Sequence, residues 1–111
     1  MRKIQFTMQD DIVRKTRRIL AMEQFRSKRM AELTTRYYLD NLQEIYTGIF
    51  KEFMEKGILK KQDPELLALQ FVAPVSILIH TYDRQPEREE EILYKIRKHF
   101  KQFAMVYAED C

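Results

Sequence analysis

Glycine and proline are nearly missing from this sequence, with two of the first and three of the second in 111 residues. An all-β sandwich or barrel needs a turn signal roughly every eight to twelve residues, so that class is excluded. Tryptophan is absent, and the single cysteine, Cys111, is the last residue. A lone thiol makes neither an internal disulfide nor a zinc site, which points to a reducing, cytoplasmic setting. Histidine is equally scarce: His80 and His99 are the only two, and neither lies in a catalytic or metal motif. No HExxH, CxxC, P-loop or GxGxxG occurs. No Ser or Cys nucleophile stands beside a recognisable base. The expectation is a chain without catalytic machinery, metal or cofactor. The N-terminal MRKIQFTMQDD turns acidic before any apolar core appears, unlike a secretory signal. The longest apolar stretch, Leu66 to Ile79, is interrupted by Gln70, Pro74 and Ser76 and falls short of the ~20 residues that span a bilayer. It reads as a buried core helix, and no membrane is expected as partner.

What is present fits a single folded domain over residues 1–111, with residues 1–9 as the tail of a preceding helix. Apolar residues make up 45% and charged residues 33%, a globular balance. The net charge of +3 and pI near 9.0 are a mild basic excess spread along the chain. Ordering costs roughly 1.5 kcal/mol per residue, which leaves so short a chain little margin. Seven phenylalanines and six tyrosines help offset that cost, and burial against a second subunit would help more.

The segments between turn signals have helical periodicity. A first helix starts near Asp10 or Asp11, with Ile12, Thr16, Ile19, Leu20 and Glu23 recurring at three- and four-residue steps and most of the Arg14 to Arg18 charges on other faces. Ser27 caps a second helix running to about Lys56, although one long helix across Ser27 fits nearly as well. The second helix carries Met30, Leu33, Tyr37, Ile45, Ile49 and Phe53 on one face, with Leu42 and Tyr46 alongside. Gly57 suits the left-handed position past its end, with Ile58 folding back on Phe53. Asp63-Pro64-Glu65 opens a third helix to about Tyr82, apolar on nearly every side and kinked near Pro74. A turn at Asp83-Arg84-Gln85 leads to Pro86 and a last helix. Its acidic start, Glu87 to Glu91, suits the helix dipole better than a cation site. Ile92, Ile96, Phe100, Phe103 and Tyr107 form its apolar stripe. The fold class is therefore all-α, a bundle of four to five antiparallel helices.

Two features point to binding. The third and fourth helices hold more apolar surface than one copy can cover, so a homodimer is expected, with the last two helices of each copy forming a four-helix interface. Leu67, Phe71, Pro74, Val75, Leu78, Ile92, Ile96, Phe100 and Phe103 are its candidate residues. Separately, helical spacing brings Glu23, Tyr37, Tyr38, Asn41, Tyr46 and His80 near the apolar faces, as candidates to line a cavity for a small, mostly apolar molecule. Tyrosines that bury their rings and expose their hydroxyls would give the same pattern. The basic run Arg14-Lys15-Thr16-Arg17-Arg18 spreads around its helix and has no stacking platform, so it reads as a solvated face before a nucleic-acid site.

The stretches RKTRRILAMEQF (Arg14 to Phe25), DPELLALQF (Asp63 to Phe71) and YDRQPEREEE (Tyr82 to Glu91) resemble segments of the C-terminal domains of TetR-family transcriptional regulators. The similarity runs from about Asp10 to Phe103. It implies an all-α effector-sensing and dimerisation domain, with the last two helices at the dimer interface and an effector pocket among the earlier ones. The family's N-terminal helix-turn-helix head has no counterpart before Arg14, so direct DNA binding by these residues is not expected. A headless module that forms mixed dimers with full-length regulators is the alternative.

Overall fold

The computed structural model of the protein describes residues 2–109, and the expectation drawn from Cys111 lies outside them. Six α-helices follow in order: α1 (Arg2–Gln9), α2 (Asp11–Glu23), α3 (Lys28–Thr35), α4 (Asn41–Glu55), α5 (Pro64–Arg84) and α6 (Glu89–Tyr107). A π-helical turn, Arg36–Asp40, joins α3 to α4 without a break, and a 3-10 turn, Pro86–Arg88, leads into α6. The described residues contain no β-strand, only an isolated bridge between Leu59 and Ala108.

Side-chain chemistry explains the boundaries. Asp10 caps α2 by accepting from the Val13 N–H, Ser27 caps α3 by accepting from Met30, and Asp63 caps α5 by accepting from Glu65 and Leu66. At the end of α4, Gly57 takes φ 74°. The Ile58 N–H donates to the Phe53 carbonyl at 2.9 Å and the Gly57 N–H to that of Met54 at 3.2 Å, a Schellman stop. Ile58 itself stays at the surface, and the residue that folds back into the interior is Leu59. Alanine at position 57 meets no side chain but must adopt a left-handed backbone, so Gly57→Ala is expected to cost about 1 kcal/mol, read as a lower urea midpoint. Asp83 and Arg84 lie in the last turn of α5 and not in a loop, because Asp83 is held by an ion pair described below.

Two clusters make the core. Met8, Val75, Ile79, Tyr82, Ile92 and Ile96 join α1, α5 and α6. Phe50, Met54, Leu59, Leu67, Ala68 and Phe103 join α4, the following loop, α5 and α6. Leu67, Val75, Ile92, Ile96 and Phe103, expected at a dimer interface, are therefore packed inside one protomer and have little surface left for another. Leu78 packs half-buried against the first cluster, and Pro74 is half-buried within a continuous α5.

The molecule measures 47 × 33 × 17 Å. Its shortest dimension is about two packed helices deep, so every helix keeps an outer face. On α5 that face is Leu66, Leu69 and Ile77, the last 66% exposed. Thus α5 is not covered on all sides. It is also the one helix among the described residues that is long and apolar enough to cross a membrane. On α2, Ile12 and Ile19 point outward while Arg17 is buried, the reverse of the periodic reading. On α4 the inward residues are Phe50 and Met54, with Ile45 and Ile49 exposed. The π turn explains that shift: its i→i−5 bond, from the Asn41 N–H to the Arg36 carbonyl, inserts an extra residue and rotates all that follows.

Candidate functional site

A cavity of about 320 Å³ lies among α1, α2, the π turn, α4, α5 and α6. Tyr37, Tyr38, Asn41, Tyr46 and His80 all line it. Glu23 does not: it pairs with Arg26 at 2.9 Å near the end of α2. The π turn carries both Tyr37 and Tyr38. Consecutive residues of an ordinary helix diverge by about 100°, and the wider turn allows both rings to share one wall. Phe71, Val75 and Phe100, expected at the dimer interface, also line the cavity.

The rings are organised. Tyr38 stands edge-on to Tyr37 at 5.1 Å and to His80 at 4.8 Å. Tyr46 packs on Phe71 at 5.1 Å, and Phe71 stacks on Phe100 at 5.2 Å. The Tyr38 hydroxyl reaches the Arg17 carbonyl at 3.3 Å, and burial pushes its pKa up to about 12. No hydrogen bond among the described residues engages the His80 ring, the Asn41 amide, the Ser76 hydroxyl or the hydroxyls of Tyr37 and Tyr46, so these groups remain available to a guest.

Arg17 and Asp83 form the floor that sequence reasoning missed. The guanidinium donates from Nε to Asp83 Oδ2 at 2.6 Å, from Nη2 to Oδ1 at 2.7 Å and to the Met8 carbonyl at 3.1 Å, and from Nη1 to the Thr7 carbonyl at 2.5 Å. Both side chains are buried, 4% and 12% exposed. Burial works against the charge on Arg17, but the bonds and charge of Asp83 outweigh it and hold the guanidinium above its ordinary pKa. Arg14 also turns inward, over the Tyr82 ring at 4.9 Å. The basic run is thus dismantled, with Lys15 and Arg18 alone at the surface.

His80 is half-buried, and this burial, aided by Arg17 and Arg84 and opposed by Asp83, lowers its pKa below 6.5. The unfolded chain therefore takes up a proton at a pH where the fold keeps the ring neutral. Stability is complete above 6.5 and falls as pH drops through that value. His80→Phe is expected to flatten this dependence between about pH 7.5 and about pH 5, as read by urea midpoints at each pH.

Among the described residues, no group of three or more His, Cys, Asp or Glu is placed to hold a metal ion. A second, more open groove lies on the far side of Tyr38 and His80, lined by Arg18, Met22, Thr35 and Arg84. No family model, characterised protein or solved structure matches the chain.

Proposed function

We propose that the chain is the ligand-sensing and dimerising domain of a TetR-like transcriptional regulator, working in the cytoplasm. The observation that carries this reading is the aromatic cavity lined by His80, Asn41, Ser76, Tyr37 and Tyr46, whose side-chain polar groups have no hydrogen-bond partner among the described residues. A cavity of this kind, mostly apolar with a few polar anchors, suits a small molecule. The segment resemblances from Arg14 to Glu91 agree with it. The bundle is antiparallel in this reading, since Tyr38 meets His80 while Tyr46 meets Phe71. Two copies pair through the outer face of α5, where Leu66, Leu69 and Ile77 are exposed. In this reading these residues do not bind DNA themselves, in keeping with Arg14 and Arg17 of the basic run turning into the fold.

The test is heat stabilisation. A guest that binds only the folded state raises the melting temperature with the logarithm of its concentration, and Tyr46→Ala should weaken that response. A melting temperature that ignores every small apolar compound in a broad panel contradicts the reading. The exposed α5 stripe favours the mixed-dimer alternative equally. That alternative needs no ligand, so the same panel separates the two.

A further inference from the structure

The class of ligand follows from how the cavity wall is polarised. The cavity runs along α5 from Phe71 to His80, a rise of about 13 Å at the pitch of an α-helix. At the first end, Tyr46 and Phe100 close on Phe71 from either side, at 5.1 and 5.2 Å. These rings present faces and edges but no charge, the surroundings in which another aromatic ring gains most. At the second end, His80 meets Tyr38, and Asn41, one helical turn on from Tyr38, also lines the cavity. Both His80 and Asn41 lack a hydrogen-bond partner among the described residues.

Arg17 is the one formally charged side chain in the described wall. Four of its five N–H donors are committed to Asp83 and to the carbonyls of Thr7 and Met8, and its charge is matched by the Asp83 carboxylate. A ligand carrying either sign of charge would leave water without finding a free counter-charge, which is strongly disfavoured. A neutral ligand with one hydrogen-bonding group would satisfy His80 or Asn41 and lose nothing.

We infer that the cavity takes an uncharged molecule with a one- or two-ring aromatic body and a single hydrogen-bonding group, the body against Tyr46, Phe71 and Phe100 and the polar group at His80 and Asn41. This rests on the ligand-sensing reading and narrows it. The stacked pair Phe71–Phe100 sets the preference for flat rings over alkyl chains, and the committed guanidinium sets the preference for neutrality.

The experiment is calorimetric titration of the whole chain with 2-naphthol, naphthalene, 2-naphthoate, 2-naphthylmethylammonium and 1-decanol. The expected order places 2-naphthol first, at least about tenfold tighter than either charged analogue and than decanol. His80→Phe keeps a ring against Tyr38 but removes the nitrogen. It should weaken 2-naphthol about tenfold, the usual weight of one good hydrogen bond, and leave naphthalene unchanged. Asn41→Leu gives the same readout should His80→Phe fail to fold. Tighter binding of the naphthoate, the ammonium or the decanol overturns the inferred class while leaving a ligand-sensing domain intact. Two variants that both keep the wild-type preference for 2-naphthol over naphthalene overturn the placement of the polar end. No binding by any of the five compounds to folded protein overturns the inferred class, and the ligand-sensing reading falls with it only when the broad panel also leaves the melting temperature unmoved.

Discussion

Arg17→Leu is expected to lower the unfolding free energy by about 3 kcal/mol, the scale for breaking a buried ion pair. The loss is larger than that of a surface pair because of what the variant leaves behind. Asp83 is left at 12% exposure without its guanidinium partner, and the carbonyls of Thr7 and Met8 lose their donors. For a domain of this size each kcal/mol moves the melting temperature by about 4–8 °C, so a fall of about 12–24 °C follows. The double variant Arg17→Leu/Asp83→Leu should recover much of it, since replacing both members of a buried pair by apolar groups is often nearly neutral. Melting curves of the wild type, the two single variants and the double variant, all at one protein concentration, give the coupling directly. A shift of Arg17→Leu below about 1 kcal/mol would place the pair among ordinary surface contacts.

Ile77→Lys is expected to raise the dimer dissociation constant roughly a thousandfold. Each copy would bring one ammonium into an apolar contact, at about 2 kcal/mol or more per copy, and each 1.4 kcal/mol is about tenfold. The isolated protomer should be unharmed, because Ile77 is 66% exposed there and makes no part of either core cluster. Helix content by circular dichroism should therefore stay constant while the sedimentation profile changes. A dissociation constant that moves by less than about tenfold would take α5 out of the contact.

Several helix boundaries were legible in the sequence because they depend on single residues: Asp10 and Asp63 at helix starts, Gly57 at a stop, and Ser27 as one of two open readings, whereas the π turn after Thr35 and the end of α5 at Arg84 were not. The apolar stripe of α6, Ile92, Ile96 and Phe103, was legible too, because polar residues flank it, but it packs inside one protomer and not against a second copy. The faces of the other helices were not. α5 is apolar around most of its circumference, so its periodicity could not say that Leu67 and Val75 face inward while Leu69 and Ile77 face out. On α4 the π turn at Arg36–Asp40 shifts the register, and a pattern counted at the ordinary helical period cannot see it. The Arg17–Asp83 pair joins residues 66 positions apart, and no local signal connects them. Arg17 looked like one of several surface cations in a basic run. Tyr37, Tyr38, Asn41, Tyr46 and His80 nonetheless line one cavity, as polar or aromatic groups that helical spacing sets near the apolar faces. Glu23 shares that description, but Arg26 holds it at the surface.

Outward apolar residues on α2, α4 and α5 together expose more of the chain's hydrophobic surface than a slab two helices deep can cover, and pairing is the remedy this account depends on. Sedimentation equilibrium of the unaltered chain at micromolar concentration tests it most directly. The account predicts a species of twice the 13.6 kDa protomer mass. A single species at the protomer mass, unchanged up to the highest soluble concentration, would contradict it.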